Sequence, residues 1–194
     1  MIRARIWPVV EYCLPAWAIG AIAALGAGGL AAAAGLPGGW AVITGLALGV
    51  PIAIIGAAYA MLMVTGTVPT GVFTTAALFW LVGFPMARLV HESTTELLFT
   101  GSLGLPEDPL GFLAYQAVLS MGFAIGYLWL HEQIGRLWWP RVRDRNAYAH
   151  QCVEQHKQSA VAMHEYKEAT KRGRQGRRRR AALAREATAS SRRT

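Results

Sequence analysis

The chain has 194 residues, 54% of them hydrophobic and only 15% charged, where a soluble domain carries about 25% charged residues. The net charge of +8 is uneven: residues 140–194 hold 15 Lys/Arg and 5 Asp/Glu, net +10, and residues 1–139 hold 4 and 6, net −2. This excludes a single soluble globular domain and leaves a long apolar block followed by a short, strongly basic tail. Cys13 and Cys152, the two cysteines, exclude a disulfide scaffold, and on the topology derived below both lie on the reducing side. The basic residues are 16 Arg and 3 Lys; with abundant Ala and Gly, this composition points to a GC-rich bacterial genome.

A spanning helix needs roughly 20 mostly apolar residues, because the hydrocarbon core is about 30 Å thick and a helix rises about 1.5 Å per residue. Four stretches qualify. The first covers about 14–36, is uncharged, and ends in Gly35-Leu36-Pro37-Gly38-Gly39. Its apolar run is longer than the 7–15 residues of a signal-peptide core and three more spans follow, so it reads as a retained span. The second covers about 40–64 and ends in a Thr/Gly/Pro turn; the third covers about 72–90 and carries one charge, Arg88. The fourth covers about 110–130, with Asp108 as expected cap and Pro109 at the first helical position.

Four spans put both termini on one side. Arg3 and Arg5 precede the first span, and Arg136, Arg141, Arg143 and Arg145 follow the fourth. The loop at 91–109 holds Glu92, Glu96, Glu107 and Asp108 and no basic residue. The positive-inside rule then predicts cytoplasmic termini and a location in the bacterial inner (plasma) membrane. Trp7, Trp17, Trp129, Trp138 and Trp139 at the inner ends and Trp40 at the outer end fit aromatic belts.

Within a bilayer, close packing of small residues joins helices where hydrophobicity alone does not. Gly20, Ala24, Gly28 and Ala32 in span 1, Gly45, Gly49 and Ala53 in span 2, and Gly122 and Gly126 in span 4 form such stripes. They predict a tight bundle of spans 1, 2 and 4. Pro51 in span 2 and Gly83/Pro85 in span 3 are expected kink positions.

The polar constellation near the bilayer is Arg88, His91, Glu92, Ser93, Thr94, Thr95 and Glu96 at the outer end of span 3. On a continuous helix Arg88, Glu92 and Glu96 stack at i, i+4, i+8. The functional reading is a small polar or ion site, for a cation or a proton. The plainer one is an interfacial Arg88–Glu92 pair that lets Arg88 snorkel. A zinc site lacks a third ligand, so no metal and no cofactor is expected. A second His-Glu, His131-Glu132, reads as an interfacial extension of span 4.

The tail reads as a polar helix over about 144–171 with a thin apolar stripe of Ala149, Cys152/Val153, His156, Ala160 and Met163. A disordered basic segment is expected to follow: Lys171, Arg172, Arg174, Arg177, Arg178, Arg179 and Arg180, then Arg185, Arg192 and Arg193 against the single acid Glu186. Its candidate partners are anionic lipid head groups, nucleic acid, or an acidic protein. No aromatics interleave with the arginines, so single-stranded bases have no stacking platform.

The sequence contains no P-loop, dinucleotide turn, nucleophile elbow or paired Cys-x-x-Cys. The expected protein is therefore an all-α, four-span integral membrane bundle with a basic tail. Its expected role is non-enzymatic, as a subunit, anchor or scaffold in a membrane assembly with other subunits or further copies. The alternatives are a small channel, transporter or transporter component, and an accessory membrane protein of a DNA-transfer system with a nucleic-acid-binding tail.

Overall fold

The computed structural model describes the backbone of residues 2–69 and 72–191 and the side chains of 6–69 and 72–175. Among the described residues all regular structure is helical: α1 (Ile2–Tyr12), α2 (Leu14–Ala33), α3 (Gly38–Val64), α4 (Phe73–Thr100), α5 (Pro109–Val142) and α6 (Ala147–Ser191). Helices α2, α3, α4 and α5 are each long and apolar enough to cross a membrane. The chain divides into two units, Met1–Cys152 and Val153–Thr194.

In the first unit α2 packs on α3, α3 on α4, α4 on α5, and α5 back on α2, which closes a ring of four antiparallel helices. One end of this bundle, the clasp end, gathers the start of α2 and the ends of α3 and α5. There Arg145 meets Glu11, and Gln151 Nε2 donates to Val64 O at 2.7 Å. At the other end, the loop end, Trp40 at the start of α3 stacks on Phe99 at the end of α4, with ring centroids 4.5 Å apart.

The observed helices differ from the expected spans in length. The first stops at Ala33, where Gly35 takes a left-handed φ of 93° and Leu36 N closes onto Ala31 O. Only glycine adopts that φ without strain. The third continues to Thr100, because nothing between His91 and Thr100 breaks a helix; it ends where Gly101 takes φ 76°. The fourth runs 34 residues, through Pro140 to Val142. Its start is as expected: Asp108 Oδ1 accepts from Gly111 N at 3.0 Å. Pro51 and Pro85 both lie inside unbroken helices.

Small residues bring α2 and α3 into backbone contact. A Cβ on Gly20 would lie 2.5 Å from Ala53 Cβ and 2.6 Å from Gly49 O, and one on Gly28 would lie 2.8 Å from Ala41 O. Gly45 and Gly49 press in turn on the backbones of Ala24 and Gly20. The stripes of spans 1 and 2 are thus one interface. The stripe of span 4 is not a contact: around Gly122 and Gly126 a Cβ would meet nothing within 4 Å. Both glycines are exposed on the outward face of α5 with Val118, Met121 and Ile125, while aromatic rings occupy its inward face. The expectation of a glycine-mediated contact for span 4 is corrected accordingly.

Two further features depart from the sequence reading. The residues before the first span form a separate helix, α1, broken from α2 at Cys13. In the second unit the helix runs on to Ser191, where disorder after about 171 was expected. Arg and Ala are strong helix formers, and the isolated Gly173 and Gly176 each cost only about 1 kcal/mol. The side chains of Arg177, Arg178, Arg179 and Arg180, and all of Arg192 and Arg193, lie outside the described residues.

Candidate functional site

At the loop end, three of the four expected site residues come together on α4. Arg88 Nη1 donates to His91 Nδ1 at 2.8 Å, and Arg88 Nη2 lies 3.9 Å from Glu92 Oε2. The guanidinium is mostly covered, with 24% of the side chain exposed, while Glu92 is 47% exposed. The second His91 nitrogen, Nε2, is buried and faces the backbone of Thr44 on α3. Thr95 Oγ1 donates back to the carbonyls of His91 and Glu92 at 2.9 Å, which satisfies the helix locally. Glu96 sits a turn further on, exposed, with its side chain against Gly104 of the following loop. Among the described residues no three His, Cys, Asp or Glu side chains gather where a metal ion could sit.

Helix α5 turns a polar face into the bundle. Its buried residues include Gln116, Ser120, Tyr127 and His131, at helical spacing, while Leu110, Val118, Met121, Ile125 and Leu137 point outward and are exposed. This is the reverse of a soluble amphipathic helix and suits a lipid surround. Tyr127 Oη donates to Gly56 O at 3.0 Å; glycine there leaves room for the ring. The rings of Tyr127, Trp80, Phe123 and Phe84 touch in series, with centroids 4.5 to 4.7 Å apart. His131, expected at the interface, is 1% exposed and stacks on Tyr127 at 5.4 Å. The helix continues past it, so the residue faces the interior rather than the surface.

The clasp end is built around the Glu11 carboxylate, which is 9% exposed. Glu11 Oε1 accepts from Arg145 Nε at 2.8 Å and Nη2 at 2.6 Å, and Oε2 accepts from Asn146 Nδ2 at 3.1 Å. The Arg145 hydrogen bonds hold the Glu11 carboxyl below its ordinary value. Asn146 also caps α6, its Oδ1 accepting from Tyr148 N and Ala149 N, and donates to Pro8 O at 2.7 Å. Pro15 has no N–H, so Glu11 O lacks its usual partner four residues on; Trp138 Nε1 supplies one at 2.7 Å. Trp139 Nε1 does the same for Tyr12 O at 3.1 Å. Burial pushes the Cys13 and Cys152 thiols up to about 11.

The sequence reading missed Glu11, Asn146 and the polar face of α5. Gln116, Ser120, Tyr127 and His131 are legible in principle, as polar residues at i, i+4, i+11 and i+15 within an apolar span. Glu11 and Asn146 give no such signal, because their meaning lies in a contact 135 positions apart.

The fold and these features define an all-α, multi-pass membrane protein. No protein-family model, curated protein or solved structure matches the chain.

Proposed function

We propose that the chain is a non-enzymatic subunit, anchor or scaffold of a larger assembly in the bacterial plasma membrane, with both termini cytoplasmic. The observation that carries this reading is the helix of the second unit. It is predominantly polar yet leaves Met163 and Tyr166, three residues apart on one face, exposed by 55% and 70%. Most helical stability in proteins comes from packing an apolar face against a neighbour, so an exposed apolar pair on this long helix favours a contact there. The basic residues from Lys171 onward are assigned to anionic lipid head groups, or to a partner protein, beside the membrane. Crosslinking in cells followed by purification in mild detergent tests the role. A complex is expected, and it should be lost on changing Met163 and Tyr166 to Ser. Recovery solely as a monomer, without crosslinked species, would overturn it.

The polar face of α5 favours a second reading, a small channel or transporter component. Flux into proteoliposomes that falls with Glu92→Gln or Glu96→Gln would support it. Absence of flux would remove it.

A further inference from the structure

Helices α2 and α3 touch along their small residues but leave an open groove of about 390 Å³ on the side that faces out of the bundle. That volume is within the range of about 300–1,000 Å³ typical of small-molecule sites. The floor is the helix contact itself, where a Cβ on Gly28 would lie 2.8 Å from Ala41 O. The banks are Leu25 on α2 and Val42 and Leu46 on α3, which are 76%, 61% and 52% exposed. Gly29 and Gly38 widen the space, since a Cβ on either would meet nothing within 4 Å. The lining falls within residues 24–32 of α2 and 38–46 of α3. The groove therefore runs for about 12 Å beside the two helices, in the loop-end half of the bundle.

The lining decides what can fill this space. It holds only Gly, Ala, Val and Leu, without a polar side chain, and an apolar cavity stays free of water. Both helices are long and apolar enough to cross a membrane, so the groove opens toward hydrocarbon. Another helix is about 10–12 Å across with its side chains and would ride on Leu25, Val42 and Leu46 without reaching Gly28. An acyl chain is a single methylene wide and reaches the floor. The loop-end mouth adds a polar contact. Gly38 is the first residue of α3, Pro37 before it gives no side-chain cap, and the turn at 34–37 carries no acidic residue. The amides of the first turn, at Gly38, Gly39 and Trp40, thus present the partial positive charge of a helix N-terminus, which favours phosphate. Neither Gly38 nor Gly39 puts a side chain in the way.

We propose that the α2–α3 groove binds one acyl chain of a phospholipid from the loop-end leaflet, with the phosphate of that lipid at the first turn of α3. The site is independent of the subunit role and of which side of the membrane the loop end faces.

The test uses the full chain in lipid nanodiscs that contain a phospholipid with a photoactivatable diazirine midway along one acyl chain. Adducts are mapped by mass spectrometry after illumination. They are expected to concentrate on residues 24–32 and 38–46 over the outward faces of α4 and α5. A diacylglycerol with the same diazirine chain should label those residues severalfold less. Gly29→Leu, whose side chain starts in open space and occupies the groove, should lower the phospholipid labelling severalfold. Gly122→Leu, equally open but on α5, should leave it unchanged. Even labelling of all outward helix faces would overturn the proposal and leave ordinary boundary lipid. Equal labelling by the two lipids would overturn the phosphate contact. Capture of Leu25→Cys as a disulfide-linked dimer in the bilayer would overturn it in favour of a contact between copies. The wild-type labelling pattern decides the matter even if a variant fails to fold.

Discussion

Glu11 joins three segments through one carboxylate: the end of α1, the Arg145 side chain and the cap of α6. Its energetic weight lies mainly with Asn146, which is 1% exposed, because the Arg145 side chain is 66% exposed and water screens that ion pair. Glu11→Ala should therefore cost about 1–3 kcal/mol, by leaving the buried Asn146 amide short of an acceptor, and Glu11→Gln about 1 kcal/mol or less. Asn146→Ala should cost more than Glu11→Gln, since it also removes the α6 cap, itself worth about 1 kcal/mol. The Arg145 contacts depress the Glu11 carboxyl, so its stabilisation is present above the ordinary value of 4.5 and is lost as the pH falls below it. Unfolding in detergent as a function of pH checks both points: the wild type should weaken below about pH 4.5 and Glu11→Gln should show a shallower dependence. An identical acid limb in the two chains would mean that Glu11 does not carry it.

Among the elements, α2 and α3 are the pair whose contact depends on absent side chains. Gly49→Ala places a methyl group against Gly20 O and Ala24, and a core without room costs about 1–3 kcal/mol to overpack. Gly126→Ala has open space around it and should be neutral or stabilising by up to about 1 kcal/mol, the helix-propensity difference between the two residues. Measuring the two variants side by side in a detergent unfolding series separates a true interface from a compositional stripe. Equal effects would mean that α2 and α3 do not meet as described. Both stripes look alike in sequence because spacing reports which residues share a face, not what lies opposite. On α5 the face that turns inward is the one bearing Gln116, Tyr127 and His131, and the bulk of the rings from α4 takes up the space beside it.

For the whole molecule, the proposed orientation in the membrane rests on the positive-inside rule and is open to direct labelling. With Ser102 and Ser159 each changed to Cys, Ser102→Cys should react from outside the cell and Ser159→Cys only after the cytoplasm is opened. The native cysteines should contribute little background, since both are buried and their thiols are raised to about 11, far from the reactive thiolate form. Labelling of Ser102→Cys from the cytoplasm would invert the topology. The basic tail is expected to prefer anionic lipid, at about 1 kcal/mol per basic residue near the surface. Chain reconstituted in neutral nanodiscs should be captured by anionic vesicles, and added duplex DNA at physiological ionic strength should not release it. Replacing the four arginines at 177–180 with Gln should weaken the capture. If DNA instead displaces the vesicles with a steep salt dependence, about −0.9 in log–log slope per phosphate neutralised, the tail is a nucleic-acid element.

Four apolar helices, the cap at Asp108 and the small-residue face shared by α2 and α3 are all legible from residue order, because length, hydropathy and local spacing are properties of neighbours along the chain. The same is true of the Arg88–Glu92 pairing, a single helical turn apart. Packing alone decided that His131 is interior and that Gly122 and Gly126 of α5 face no helix. It also decided that Trp138 and Trp139 complete the carbonyls at the end of α1, 127 positions away. Those contacts depend on which helices become neighbours in space. Nothing local encodes that choice, because each partner is chemically ordinary until the bundle closes around it.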